Sequence, residues 1–258
     1  PQGQFNLQVH DDAPPVPSFR FDAPAVGDPG GPLIPDPYVL GSGGFAAVRH
    51  SFQRQPLPPW EQRLPMAIWR GSSTGIAALH RRNLAENLRY QLCQLSQRWP
   101  QLLDARLTAV VQGADQLEQN LLSAQLRAGG FVAPRLTPWH LALHRWLIEI
   151  DGNVNSWGLL WKLMSGCCVL RVTSTRRQWY HHRLEPWVHV VPVEADLSNL
   201  IDTLAWCRTQ PALCRRIATA GQQLAFEVVA HLEEDQQRAV QQWALPWIQP
   251  PPGNQPTG

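Results

Sequence analysis

Three short segments of the chain carry residue types that could handle a phosphorylated ligand. The first is Trp69-Arg70-Gly71-Ser72-Ser73-Thr74-Gly75, in which an apolar run delivers an arginine, a glycine frees the backbone and three hydroxyl residues follow. An arginine fork can grip a diphosphate through two hydrogen bonds, and the backbone of such a turn adds donors. An ordinary strand-to-helix turn with a solvated arginine fits the same letters. The second is Asp151-Gly152-Asn153 through Ser156, a polar turn after the apolar run Trp146 to Ile150. Backbone N–H groups between a strand and a helix form a seat for phosphate. The third is His10-Asp11-Asp12-Ala13-Pro14, where two carboxylates could supply a general base or simply end a strand in a solvated acidic turn. The histidines do not assemble a metal set. His140 and His144 stand four apart without a Glu or Cys partner, and His181 and His182 are adjacent, so they do not easily converge on one ion. Trp179, Tyr180 and Trp187 could stack on a sugar ring or pack the core.

These residues need elements to position them. Met66 to Trp69 reads as a short strand, followed by a long helical segment with Leu84, Leu88, Leu92 and Leu95 at spacings of three and four. Leu103 to Val111 reads as a strand and 114–128 as helix or loop. Trp146 to Ile150 is a strand, a helix ends at Ser165-Gly166, and Cys167 to Val172 is the next strand. Ile201 to Arg208, Ala212 to Val229 and Glu234 to Trp243 read as helices. Alternating strands and helices predict an α/β fold with a mainly parallel sheet. Residues 1–60 hold one strand, Phe5 to Val9, among Pro- and Gly-rich loops, and read as the remnant of a preceding domain. Residues 61–245 read as the nucleotide-binding domain and 246–258 as a disordered tail. No internal repeat is visible.

Composition narrows the function classes. At 258 residues with a net charge of +2, the chain has too weak a basic excess to argue for nucleic acid. Lys162 is the sole lysine. No apolar run reaches the length of a membrane span and no secretory signal is visible, which leaves peripheral membrane association as the alternative. Cys93, Cys167, Cys168, Cys207 and Cys214 form no CxxC pair and read as buried free thiols, favouring a reducing compartment. The chain begins at Pro1 and reads as a fragment or a processed product. No GxGxxG follows a predicted strand, which argues against a dinucleotide oxidoreductase.

In chain order the segments are Asp-Ala-Pro, Trp69 to Gly75, Leu103-Asp104-Ala105-Arg106, Ile150-Asp151-Gly152-Asn153 with Ser156, and Ser165-Gly166. Then come Leu184-Glu185-Pro186-Trp187-Val188-His189-Val190-Val191-Pro192-Val193 and Asp196-Leu197-Ser198-Asn199-Leu200. This series resembles the family 90 glycosyltransferases, which include the protein O-glucosyltransferases and enzymes that modify capsule or lipopolysaccharide. The resemblance runs from residue 5 to residue 235 and is most specific over 145–200. It implies a GT-B fold whose C-terminal Rossmann-like domain is complete and whose N-terminal one is only partly present. It also implies glucose or xylose transfer from a UDP-sugar to a glycan or protein hydroxyl, with inversion and without a metal or other cofactor. Asp12 would be the base, with Asp11 as the alternative. Arg70, helped by Gly71, Ser72, Ser73 and Thr74, would carry the diphosphate, and Asp151, Gly152, Asn153 and Ser156 would wrap the nucleotide or sugar. One departure stands out: a phosphate-binding arginine of the glucosyltransferase branch falls on Gly158, with Lys162 one turn later as a substitute. A degenerate, non-catalytic nucleotide-sugar module is the alternative. The resemblance places a bacterial protein in the cytoplasm, at the inner membrane face in some cases, and a eukaryotic one in the ER lumen or Golgi.

Overall fold

The computed structural model describes residues 20–26 and 32–248, with side chains as far as Gln242. The expected strand at Phe5 to Val9, the carboxylates of Asp11 and Asp12, and the residues from 249 onward lie outside the described residues.

Seven strands and nine α-helices are described. The strands are β1 (Ala23–Pro24), β2 (Leu64–Ser72), β3 (Leu103–Ala109), β4 (His144–Glu149), β5 (Cys168–Val172), β6 (Arg176–Arg177) and β7 (Val191–Val193). The helices are α1 (Pro37–Gly41), α2 (Ala46–Arg54), α3 (Leu88–Arg98), α4 (Gln116–Ala128), α5 (Pro138–Leu141), α6 (Leu159–Met164), α7 (Leu200–Thr209), α8 (Pro211–Ala230) and α9 (Leu232–Ile248). Five strands form one parallel sheet in the order β3-β2-β4-β5-β7, and β1 pairs antiparallel with β6. The expected α/β fold with a parallel sheet is what the chain forms.

Strand alternation explains the two covered faces. Trp146, Ile148 and Ile150 point into one core with Ala67, Trp69, Cys168 and Leu170, where α3, α4 and α7 contribute Leu92, Leu122 and Leu204. Leu147 and Ile68 point to the other face, against Leu141, Ala142 and Cys167. Val169 meets α6 and α8 there through Leu160, Leu163 and Val228. Both faces of the central strands are buried, so these strands read as continuous apolar runs. The edge strand β3 is closed by Ser96 of α3. Its hydroxyl donates to the Leu103 carbonyl and accepts from the Ala105 N–H, both at 2.9 Å.

The stretch expected to be loop before residue 60 holds α1 and α2. Asp36 caps α1 by accepting from the Val39 N–H at 2.9 Å, and Pro37 supplies a first-turn residue with its φ already set. Val39 and Phe45 are buried against α6 and α8. The Pro and Gly letters therefore mark helix boundaries here, not a structureless run. At the other end, α9 extends through residues read as the start of the tail.

The segment from Leu184 to Val190 is a lock. The Glu185 N–H donates to His189 Nδ1 at 3.0 Å, the His189 N–H to the Glu185 carbonyl at 2.9 Å and the Trp187 N–H to the Val190 carbonyl at 2.7 Å. Trp187 adopts φ +64° and sets its ring edge-on to Trp206 at 5.1 Å. The loop then presses the His189 carbonyl onto α8, where a Cβ at Gly221 would lie 2.5 Å away. In an open helix Gly→Ala gains roughly 0.5–1 kcal/mol, but overpacking costs about 1–3 kcal/mol. Gly221→Ala is expected to be destabilising by the difference, measured as a lower urea midpoint; a raised midpoint would show that the loop gives way.

Candidate functional site

In a doubly wound sheet, ligands bind beyond the carboxyl ends of the strands, where the strand order reverses. Here the chain goes from β2 outward to β3 and then returns to β4 on the other side of β2. The crevice between β2 and β4 is that reversal point. The turn after β2 (Ser72 to Gly75) and the turn after β4 (Ile150 to Ser156) form its two lips.

One side chain ties the lips together. Arg89, in the first turn of α3, donates to the Ser72 carbonyl (3.2 Å) and Thr74 Oγ1 (2.7 Å) on one lip. On the other lip it donates to the carbonyls of Ile150 (3.1 Å) and Asp151 (2.8 Å). Its guanidinium lies 5.6 Å from the centroid of the Trp69 ring. Burial pulls the Arg89 pKa below its usual value, and the negative charges of Glu149 and Asp151 oppose that fall. Asn87, the cap of α3, works beside it: its Oδ1 accepts from the Tyr90 N–H, while its Nδ2 donates to the carbonyls of Ser73 (2.9 Å) and Thr74 (3.3 Å).

Glycines make this clamp sterically allowed. A Cβ on Gly152 would stand 2.5 Å from Thr74 Oγ1 and 3.0 Å from Arg89 Nη2. A Cβ on Gly71 would stand 2.4 Å from the Trp69 ring. Direct contact between the lips is completed by the Gly75 N–H, which donates to Asn153 Oδ1 at 3.0 Å.

The structure brings Ser72, Ser73, Thr74, Asp151, Gly152, Asn153 and Ser156 into one crown. Within it the Ser73 hydroxyl fastens the turn to Val111, donating to its carbonyl (3.0 Å) and accepting from its N–H (2.8 Å). Asp151 accepts from the Ser156 N–H (3.0 Å) and the Ser174 hydroxyl (2.5 Å), which adds the turn after β5. Arg70 is not brought to the crown. Its guanidinium pairs with Asp104 of β3 (2.6 Å) and donates to the carbonyls of Trp69 and Asp104, both at 2.9 Å. Lys162 is buried under the β4 lip, donating to the Ile148 carbonyl (3.0 Å) and pairing with Glu149. It lies beside Gly158, whose missing Cβ would come within 3.6 Å of Nζ and 3.0 Å of Trp161 Nε1.

Arg89, Asn87 and Asp22 were missed by sequence reasoning. Asn87-Leu88-Arg89 carried a signal, since Asn before a helix is a cap and the arginine two residues later sits in the helix's first turn. Asp22-Ala23-Pro24 repeats the Asp-Ala-Pro of residues 12–14. Asp22 is buried, pairs with Arg176 and accepts from Asn155 of the β4 lip. Burial raises its pKa, outweighing Arg176 and Asn155. Among the described residues no group of three or more His, Cys, Asp or Glu is placed to hold a metal ion, and no helix is long and apolar enough to cross a membrane.

The profile of glycosyl transferase family 90 matches residues 43–236. The chain belongs to that family. It is 32% identical over 178 residues to the uncharacterized protein 035R of Invertebrate iridescent virus 3, covering 67% of this chain and 16% of that protein. It is 28% identical over 179 residues to human protein O-glucosyltransferase 3 (69% and 31%) and 28% over 210 residues to mouse protein O-glucosyltransferase 1 (80% and 47%). The chain thus spans less than half the length of these curated relatives. Among solved structures, Anabaena HepE in complex with UDP-glucose is similar with a TM-score of 0.46 and 13% identity, over 77% of this chain and 52% of that one.

The buried Glu149–Lys162 pair beneath the crown gives a direct test of its energetics. Lys162→Met leaves an unpaired buried carboxylate and is expected to cost about 3–5 kcal/mol, whereas replacing both members by apolar residues of similar volume recovers most of it. Urea unfolding of the two variants measures this; equal losses would show the ammonium is held for another reason.

Proposed function

We propose that the crown binds the diphosphate of a UDP-sugar and that the protein transfers glucose or xylose to a hydroxyl acceptor with inversion. On this reading the chain supplies the donor-binding half of a GT-B pair. The observation that carries the reading is the clamp itself. A trans peptide is planar, with its C=O and N–H pointing opposite ways. Arg89 and Asn87 draw the carbonyls of Ser72, Ser73, Thr74, Ile150 and Asp151 to themselves. Of the N–H groups of the same peptide units, those of Ser73, Gly75 and Gly152 donate to Ala109, Asn153 and Val154, and those of Thr74 and Asp151 are turned away from the clamp. Preorganised N–H donors at the reversal point of a parallel sheet suit an anionic leaving group. Family membership supports sugar transfer, and the names of the O-glucosyltransferase relatives support glucose or a similar sugar.

The chemistry follows. An acceptor hydroxyl is a weak nucleophile near neutral pH, so Asp12, or Asp11, takes its proton as the oxygen attacks the anomeric carbon. Such a base is worth roughly 10²–10⁴ in rate. The bond from the anomeric carbon to the UDP oxygen breaks as the new glycosidic bond forms, and the crown's donors meet the charge left on UDP in place of a metal. Arg70 joins this role only by leaving Asp104. The acceptor is a glycan of the lipopolysaccharide or capsule kind, or a protein hydroxyl. Gly158 favours a second reading, a nucleotide-sugar module that binds without transferring.

Calorimetric titration with UDP and assay of donor hydrolysis over a panel of UDP-sugars test the proposal. Arg89→Met is expected to lower UDP affinity more than tenfold, about 1.4 kcal/mol or more. Asp12→Asn is expected to abolish transfer with UDP affinity kept, and Arg70→Ala to lower affinity if that arginine reaches the diphosphate. Absence of both UDP binding and hydrolysis in the unaltered protein would sink the reading, and binding without hydrolysis would select the module.

A further inference from the structure

A second segment from outside the crown also grips it. Residues 20–25 form a strap whose backbone is fixed at both ends. The Ile34 N–H donates to the Arg20 carbonyl at 2.8 Å, and the Ala25 N–H donates to the Thr175 carbonyl at 2.7 Å. Between them Ala23 pairs with Arg177 in the β1–β6 ladder. Asp22 therefore projects from backbone that is held on either side of it.

Each oxygen of Asp22 meets a donor from a different turn. Oδ1 accepts from Nδ2 of Asn155, in the turn after β4, and Oδ2 accepts from the Arg176 guanidinium, after β5. Asn155 is 4% exposed, and its own Oδ1 is buried without a hydrogen-bond partner. Among the described residues, Asp22 is thus the anchor of that carboxamide. The strap touches the same turn again through Phe21, whose ring stands edge-on to Trp157 at 5.9 Å. Within the turn, the Gly152 N–H donates to the Val154 carbonyl (3.1 Å) and the Ser156 N–H to Asp151 Oδ1 (3.0 Å). Both neighbours of Asn155 are thereby bonded back to the residues that begin the lip.

Stability alone does not account for this arrangement. Asp22 is 7% exposed, and burial raises its pKa in spite of Arg176 and Asn155. A buried ion pair commonly does no better for stability than apolar residues of the same volume, and its best-attested use is to fix register. Register is what the far end of this turn needs. Arg89 fixes its first residues through the carbonyls of Ile150 and Asp151, and the end at Asn155 is left to Asp22.

We infer that Asp22 is a positioning residue for the sugar donor, acting through Asn155 to hold the turn after β4 in the shape that presents the Asp151 N–H to the diphosphate. The inference rests on the reading of the crown as the UDP-sugar site. The bridge from Asp22 to Asn155 does not depend on that reading.

Calorimetric titration of the full chain with UDP-glucose, well below the melting temperature of every variant, tests it. Asp22→Ala and Asn155→Ala are each expected to lower affinity roughly tenfold, the scale of a lost hydrogen bond to a charged group. The double variant is expected to lose no more than the worse single one, because both act through one contact. Asp22→Asn is expected to stay within about threefold of the unaltered protein, since its oxygen can accept from Arg176 while its NH₂ donates to a turned-over Asn155. A purely structural loss would not be rescued in this way. Losses that multiply in the double variant, an Asp22→Asn as harmful as Asp22→Ala, or an Asp22→Ala of undiminished affinity each overturn the inference. Arg176, 27% exposed at its side chain, can turn to water when Asp22 is removed. If Asp22→Ala nevertheless fails to fold, Asn155→Ala carries the test, and undiminished affinity there overturns the inference. If the unaltered protein binds no UDP-glucose, the crown reading fails and the bridge is read from hydrogen exchange without ligand. Asp22→Ala is then expected to speed exchange of the Gly152 and Ser156 amides roughly tenfold, with Asp22→Asn near the unaltered protein. Equal exchange in all three overturns the bridge.

Discussion

A single buried guanidinium holds the ligand end of the sheet together. Arg89 reaches from the start of α3 to carbonyls on both sides of the crevice between β2 and β4, and loses most of its hydration in doing so. Burying such a charge is tolerable only when its donors are answered and opposite charge is near. Four oxygens answer it, while Glu149 and Asp151 balance it electrostatically. The consequence reaches into the sequence. Gly152 must lack a Cβ because Arg89 and Thr74 occupy that space, and Asn87 must cap α3 so that Arg89 begins its reach at the right height. The geometry of both turns is thus dictated from a helix outside them.

That separation explains which parts were legible in the sequence. The sheet was readable because β4 and β5 are buried on both faces and spell apolar runs, and because Gly166, at φ +67°, ends α6 where expected. The turns Ser72 to Thr74 and Asp151 to Ser156 were readable because small and polar residues between a strand and a helix have few other uses. Arg89 was not, because a helical stretch with leucines at three- and four-residue spacing gives no mark that one of its arginines is buried. Arg70 looked better placed than it is. Periodicity fixes which face of β2 it occupies, but only the neighbouring strand reveals that Asp104 stands within 2.6 Å on the same face. The helices before residue 60 were hidden by their own boundaries, since capping Asp36-Pro37 and the glycines around residue 43 imitate a loop.

The stretch over which the family resemblance is most specific, residues 145–200, holds two kinds of contact. Asp151 organises two turns at once. The Glu-Pro-Trp stretch, by contrast, closes on itself, bears on Gly221 and fixes the approach to β7. Asp196 and Asn199 likewise serve the backbone before α7, accepting from the N–H groups of Ser198 and Glu194. A long, specific sequence match can thus record the constraints of packing as much as those of the reaction.

The segment around β1 gives the crown its second boundary condition. Asp22 is held by Arg176 and Asn155, residues that follow β5 and β4 respectively, and Ala23 pairs with Arg177. The residues at the start of the described chain are therefore hydrogen-bonded into two of the turns that Asp151 organises, those after β4 and β5. Burial raises the Asp22 pKa in spite of its partners, so the electrostatic cost of that carboxylate is met only while the β4 lip and β6 keep their present arrangement. Any displacement of the N-terminal segment must then be felt at the crevice. The ligand end of this fold is built from connections between distant segments, with the parallel sheet serving chiefly to bring their ends to one edge.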